Sequence, residues 1–208
     1  KTYVSDNGSG LHVVDYAGVT PEDRKVLGTY IKSLEAMKPS AMSNEEQMAF
    51  WFNLYNAKTV DVILQHYPVK SIKDIDRGPW DEKRVTVEGK AMSLDNIEHD
   101  TVRAKFKEPR VHYAFNCASV GCPNIKVTAW EAATLDADLT QAAKDFIASD
   151  RGVSIDKNGG VDVSKIYKWY SEDFGDSEKT LLTHLGKYAA GAKKTAIDAA
   201  GDVDDYNY

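Results

Sequence analysis

The spacing of apolar residues predicts several amphipathic helices. Thr20 is a suitable helix cap before Pro21, and apolar residues then recur at helical spacing through 26–37. A second apolar stripe covers 135–147, and Ser177 is placed to cap a further helix that follows it. These segments predict helices that bury one face against a shared core.

One predicted helix is apolar on nearly every side, which is typical of a central, buried helix. It begins at the capping box Ser43-Asn44-Glu45-Glu46 and continues to about His66. Asn53 and Asn56 lie inside it, three residues apart and therefore on one side. Because buried amides need hydrogen-bond partners, we expect both side chains to bond specific groups.

Short strands are predicted between the helices. A hairpin is indicated at 85–92, and a second one flanks Asn158-Gly159-Gly160. Alternation from Arg110 to Phe115 favours a strand, and Ser93 is placed to cap a helix that extends to about Lys105. The pattern predicts an α+β fold: a helix-dominated single domain around a buried central helix, with a small antiparallel sheet and hairpins.

The predicted domain covers residues 1–188. Residues 189–208 are polar and rich in alanine and glycine, so we expect a C-terminal tail that is loosely packed. At 208 residues, one domain is the default, and its core needs neither a disulfide nor a metal ion.

Charge and composition narrow the classes of function. The net charge is -6, which disfavours nucleic-acid binding, because that affinity depends on clustered Lys and Arg. The longest apolar run, 48–52, is far shorter than a membrane-spanning helix, so no transmembrane segment is predicted. The chain opens at Lys1 without a starting Met, which suggests that a targeting segment has been removed.

The segment with the densest candidate chemistry leads from the predicted strand into a turn of small residues. It contains His112, Asn116, Cys117 and Ser119. A thiol with a nearby imidazole is the minimal activated nucleophile, and free N–H groups at a turn lower a thiol pKa and can bind an oxyanion. An isolated cysteine is more often a small buried apolar residue, so this pair alone is weak evidence for catalysis.

Glu98 adds a carboxylate to this hypothesis. On the helix after Ser93, helical spacing places it beside the apolar stripe, where it must be paired or have a raised pKa. It could orient a histidine as the acid of a triad does, or it could form a structural ion pair with Arg103 or Arg110. His99 is turned about 100° away on that helix and is the reserve candidate for the base.

Two further interpretations of the thiols stay open. His99, His112, Cys117 and Cys122 would suffice for a closed zinc site, although their spacing is unlike that of zinc fingers. A disulfide between the two cysteines would close a very short loop and suggest redox activity. We predict no metal and no cofactor.

Several ordered motifs together resemble domain-of-unknown-function family 547. They are EQMAFWFNLYNA at 46–57, YPVKSI at 67–72, SLDNIEH at 93–99, PRVHYAFNCAS at 109–119 with GCP at 121–123, and SKIYKWY at 164–170 with DF at 173–174. The resemblance implies an enzyme with an essential cysteine and glutamate, here Cys117 and Glu98, with His112 in the matching stretch. It also implies kinship with papain-like or transglutaminase-like cysteine enzymes. Bacterial members of similar length are commonly exported, so we expect a periplasmic or secreted protein.

The resulting hypothesis is a cysteine-dependent hydrolase or acyltransferase acting on an amide, peptide or thioester of a small molecule or peptide. Cys117 is the predicted nucleophile, His112 the base and Glu98 the orienting acid, while Asn53, Asn56, Asn116 and Ser119 support the site or bind substrate. Backbone N–H groups of Cys117 and Ala118 are the predicted oxyanion hole. The alternatives are a non-catalytic binding or scaffold domain whose Cys/His/Glu cluster is structural, with or without zinc, and a thiol–disulfide redox protein.

Overall fold

The structure is a computed structural model that describes residues 2–75 and 78–208. The chain divides into two compact units, which are described separately below. The first unit comprises Lys1–Lys107, Phe115–Val120 and Ile125–Leu135, and the second comprises Glu108–Ala114, Gly121–Asn124 and Asp136–Tyr208.

The first unit is built on two long helices with two small antiparallel hairpins. Its elements are β1 (Val4–Asp6), β2 (His12–Val14), α1 (Pro21–Glu35), α2 (Asn44–His66), β3 (Val85–Val87), β4 (Lys90–Met92), a π-helix (Asn96–Arg103) and α3 (Ala104–Phe106), with short 3₁₀ turns at Pro39–Ala41, Ile72–Asp74 and Ala132–Thr134. Strand β1 pairs with β2, and β3 pairs with β4.

Helix α2 is the predicted central helix. The Ser43 hydroxyl accepts from the Glu46 N–H, and the Glu46 carboxylate accepts from the Ser43 N–H, so the predicted capping box is confirmed. Phe52 and Leu54 are completely buried. Phe52 contacts Phe115 edge to face, with 5.1 Å between the ring centroids. The helix therefore supplies the main apolar packing of the first unit.

The second unit combines a three-stranded sheet with short helices. Its elements are a 3₁₀ helix (Pro109–Tyr113), α4 (Leu135–Ala148), β5 (Val153–Ile155), β6 (Val161–Ser164), α5 (Lys165–Trp169), a 3₁₀ helix (Ser171–Phe174), α6 (Glu178–Tyr188), α7 (Gly191–Ala199) and β7 (Asp205–Asn207). Strand β6 lies in the middle, antiparallel to β5 and parallel to β7. The core of this unit includes completely buried Ile147 and Leu185.

The strand predicted from Arg110 to Phe115 is wrong. The structure has a 3₁₀ helix over Pro109–Tyr113. Proline fixes a φ angle that suits the first helical position, and the Glu108 side chain accepts from the Arg110 N–H to cap that turn. Residues on both sides of the apparent alternation are buried, including His112 and Ala114, so the alternation did not mark a half-buried strand.

The fold class predicted from the sequence is confirmed: an α+β, helix-dominated structure with small, mainly antiparallel sheets. Residues 189–208 contain α7 and β7, and Ile197 and Val203 from this segment belong to the core of the second unit. The domain boundary predicted at residue 188 stays a prediction. Among the described helices, none combines the length and apolar character needed to cross a bilayer.

Candidate functional site

Cys117 and Cys122 are joined in a disulfide, the pairing that the sequence left open. The bond closes a ring that contains four intervening residues. Cys117 is half-buried, whereas Cys122 is only 1% exposed. The two sulfur atoms therefore differ in their accessibility to a reagent from solution.

Asn116, the residue before Cys117, holds the turn at the cysteine. Its backbone N–H donates to the Asn56 amide oxygen at 2.9 Å, so one partner of the α2 amides lies beside the candidate nucleophile. The Asn116 side-chain oxygen accepts from the Ala118 N–H at 3.1 Å, and Ala118 has a φ of 56°. The Ala118 N–H, a predicted oxyanion donor, is thus engaged within the turn in this structure. Ser119 follows and is half-buried.

Asn53, the other α2 amide, binds the backbone of Trp130 through both of its polar atoms. Its amide nitrogen donates to the Trp130 carbonyl, and its amide oxygen accepts from the Trp130 N–H, each at 2.9 Å. The prediction that both asparagines bond specific groups is confirmed. Their predicted role in supporting catalysis stays a prediction.

Cys122 lies in a separate set of contacts within the second unit. Its sulfur is 3.6 Å from the Tyr208 hydroxyl, and its carbonyl accepts from the Arg151 guanidinium at 2.5 Å. Tyr208 also contacts Trp169, with 4.9 Å between the ring centroids. The buried sulfur of the disulfide is therefore bordered by an aromatic side chain, and the backbone of the same cysteine is held by a cation.

His112 is buried and bonded to a carboxylate that the sequence did not single out as its partner. Its Nε2 donates to Asp173 Oδ2 at 2.6 Å, and its ring stacks on Tyr170 with 4.2 Å between centroids. The His112 side chain is 1% exposed and that of Asp173 is 19% exposed. Such a carboxylate fixes the tautomer and orientation of an imidazole.

Glu98 lies on the π-helix and is buried as predicted, with 7% exposure. Burial raises the pKa of the neighbouring Asp95 to about 7, with further contributions from a hydrogen bond and charge of Asp81 and from the charge of Glu98. Arg110, one predicted structural partner of Glu98, instead pairs with Glu108 and Asp136. The role predicted for Glu98 as the orienting acid stays a prediction.

His99, the reserve base, has contacts at both ring nitrogens. Nδ1 is 2.9 Å from an Arg103 guanidinium nitrogen, and Nε2 is 3.8 Å from an Asp95 carboxylate oxygen. Over residues 2–75 and 78–208, no group of three or more His, Cys, Asp and Glu side chains is arranged to hold a metal ion.

A third histidine, His184, was not a candidate from the sequence. Its Nε2 is hydrogen-bonded to the Tyr113 hydroxyl at 2.9 Å, and that hydroxyl is 3.3 Å from the Tyr167 hydroxyl. Burial, with a smaller contribution from Lys187, lowers the pKa of His184 to about 4. Burial also raises the pKa of Tyr113 well above its ordinary value. This network is therefore neutral near pH 7.

Residues 39–147, just over half of the chain, match the family described as "Protein of unknown function, DUF547". The chain belongs to this family. No curated protein and no solved structure matches it.

Proposed function

We propose that the protein is a cysteine-dependent hydrolase or acyltransferase acting on an amide, peptide or thioester bond. The observation that supports this proposal is the 2.6 Å hydrogen bond between buried His112 and Asp173. With Nε2 donating to the carboxylate, Nδ1 is the basic nitrogen of the imidazole. A base oriented by an acid is what a cysteine nucleophile requires.

In this proposal Cys117 attacks the carbonyl carbon of the substrate, and His112 takes the thiol proton. His112 passes that proton to the leaving group, which departs and leaves an acyl thioester on Cys117. Water, deprotonated by His112, then attacks the thioester and releases the acid and the thiol. In an acyltransferase, an amine, alcohol or thiol replaces the water.

Asp173 stabilises the imidazolium formed in each step, the role that the sequence assigned to Glu98. Its short hydrogen bond to His112 is the reason for preferring it. Glu98 remains the alternative acid, and Asn53, Asn56, Asn116 and Ser119 remain proposed supporting or substrate-binding residues. Kinship with papain-like enzymes also stays a prediction.

The disulfide makes the proposed activity dependent on reduction. Cys117 is a nucleophile only as a thiolate, so it cannot attack a carbonyl while bonded to Cys122. A dithiol such as dithiothreitol supplies two electrons and two protons, yielding two protein thiols and its own cyclic disulfide. We therefore expect turnover by the reduced protein and none by the oxidised protein.

Two serine variants test this proposal. Cys122→Ser leaves Cys117 as a thiol, so it should react with iodoacetamide and turn over a p-nitrophenyl ester or aryl thioester without reductant. The wild type should do so only after dithiothreitol treatment, and Cys117→Ser, which keeps the Cys122 thiol, should show no turnover. Folding is checked by circular dichroism. If well-folded Cys122→Ser binds the label but turns over neither the ester nor the thioester, the hydrolase and transferase proposal is wrong.

Thiol–disulfide exchange is a second candidate function, favoured by the unequal burial of the two sulfurs. A half-buried Cys117 could be attacked first, with buried Cys122 as the resolving thiol. The same variants separate the two functions. Cys122→Ser should lose catalysis of insulin reduction by dithiothreitol if the protein is an exchange catalyst, whereas ester or thioester turnover should persist if it is a hydrolase.

We also propose that the protein is exported, as the family resemblance implied. The disulfide supports this, because disulfides form and persist in oxidising compartments such as the bacterial periplasm. Fractionation of cells expressing the full-length gene tests it: the protein should be found in the periplasmic or secreted fraction, and recovery in the cytosol would contradict the proposal.

A further inference from the structure

We propose that the first unit contains a binding pocket for a small carboxylic acid with an apolar body. A pocket of about 230 Å³ lies among α1, α2 and the segment 125–130. Its apolar wall includes Leu27, Val60 and Ile125. A concave, mainly apolar wall with a few polar groups is typical of small-molecule sites.

The polar part of the pocket is held in place by hydrogen bonds. Asn53 binds both the N–H and the carbonyl of Trp130, which fixes that backbone against α2. The Asn56 amide oxygen accepts from the Asn116 N–H. Asn53 thus uses both of its polar atoms and Asn56 its amide oxygen in bonds to the backbone, and these bonds fix the wall of the pocket.

Trp130 is the first such group. The residue is 4% exposed, and its indole nitrogen is buried without a hydrogen-bond partner. A buried donor without an acceptor is unfavourable, and ligand sites are among the places where such groups persist. A ligand oxygen would satisfy this N–H once the indole ring turns enough to present it to the pocket, because the nitrogen has almost no accessible surface in the present conformation.

Lys126 is the second group, and it brings a positive charge to the pocket. Its ammonium group donates to the Thr128 hydroxyl at 2.9 Å and to the Ala129 carbonyl at 3.0 Å, both from lining residues. It also lies 5.5 Å from the centre of the Trp130 ring. No acidic residue is among the described residues that line the pocket.

An indole N–H and an ammonium group are both donors, and one is charged. An ionised carboxylate, which only accepts hydrogen bonds and carries a negative charge, complements both of them. The apolar wall suits a short aliphatic or aromatic body attached to it. This inference does not depend on the proposed chemistry of Cys117.

Titration of the ¹⁵N-labelled protein with sodium hexanoate, followed by NMR, tests the proposal. The Trp130 indole resonance is assigned by its loss in Trp130→Phe. We expect a saturable shift of that resonance, with a Kd on the order of 1 mM. Hexylammonium and hexan-1-ol, which keep the apolar body but lack the carboxylate, should produce no comparable shift.

Variants locate the site. Ala57→Phe should abolish the shift by filling the pocket, and Lys126→Gln should weaken binding roughly fivefold, as expected for a partly exposed ion pair. Lys25→Gln removes an exposed lysine from α1 outside the lining and should bind as the wild type does. An unshifted Trp130 resonance would overturn the proposal. Equal binding of hexan-1-ol would also overturn it, since the pocket would then not select a carboxylate.

Discussion

At the scale of single residues, Gly121 determines what covers the buried sulfur of Cys122. A Cβ atom at this position would lie only 2.6 Å from a ring carbon of Tyr208, which is closer than nonbonded atoms approach. The absence of a side chain thus lets Tyr208 lie against the turn, with its hydroxyl 3.6 Å from the sulfur. Tyr208 is therefore in a position to limit access to the disulfide.

Gly121→Ala should displace the Tyr208 ring and speed reduction of the disulfide severalfold, because thiol–disulfide exchange depends on access to sulfur. The rate is measured by quenching dithiothreitol reactions with iodoacetamide and counting labelled cysteines by mass spectrometry. Gly201→Ala is the matched control, since a Cβ there meets no atom within 4 Å. Equal rates for Gly121→Ala and wild type would show that covering of the Cys122 sulfur by Tyr208 does not limit reduction.

Individual site residues were predictable where local chemistry dictated a partner, but not where the partner is distant. Buried Asn53 and Asn56 had to bond something, and they do. The bond from His112 to Asp173 joins residues 61 apart. Neither helical periodicity nor strand alternation extends over such a separation, so sequence spacing pointed to Glu98.

At the scale of elements, helix α2 depends on its capping box for a defined start. Ser43→Ala removes the side-chain acceptor for the Glu46 N–H, so we expect a loss of about 1 kcal/mol in the free energy of unfolding. Urea denaturation measures this change. Ser33→Ala, which removes an exposed hydroxyl inside α1, should change stability by less than about 0.5 kcal/mol. If Ser33→Ala lost as much stability as Ser43→Ala, the loss could not be assigned to the capping box.

Helices with caps and long apolar stripes were predicted well, because those signals are local and repeat over several turns. The 3₁₀ helix at 109–113 was not predicted, because five residues are too few to distinguish a strand from a 3₁₀ turn by alternation. The π-helical form of Asn96–Arg103 also had no periodic signal in the sequence, which indicated only a helix after Ser93. Sequence reasoning thus located this helix without giving its hydrogen-bond pattern.

At the scale of the whole molecule, two titrating groups should give the stability opposite dependences on pH. The pKa of Asp95 is raised from 3.8 to about 7, so the folded state binds this proton more tightly than the unfolded state. The stability that Asp95 contributes to the folded state is fully present below pH 3.8 and is lost as pH rises towards 7. Asp95→Asn should remove this decline, which is measured as the free energy of unfolding against pH. An unchanged slope in the variant would contradict the prediction.

His184 acts in the opposite direction. Its pKa is lowered from 6.5 to about 4, so the unfolded state takes up a proton first as pH falls. Stability should therefore rise with pH between about 4 and 6.5. His184→Gln, which keeps a polar side chain for Tyr113, should flatten that rise when denaturation curves are compared across the same interval. A slope equal to that of the wild type would mean that His184 is not the responsible group.

The short ring closed by Cys117 and Cys122 makes the oxidation state of the protein simple to read. Trypsin cleaves after Arg110 and Lys126, and the sequence between them contains no other lysine or arginine. Both sulfurs consequently leave the digest in one sixteen-residue peptide, Val111–Lys126. After alkylation the reduced form carries an added group on each cysteine, which the disulfide form lacks, so a single spectrum of alkylation-trapped cells gives the fraction of bridged molecules in vivo.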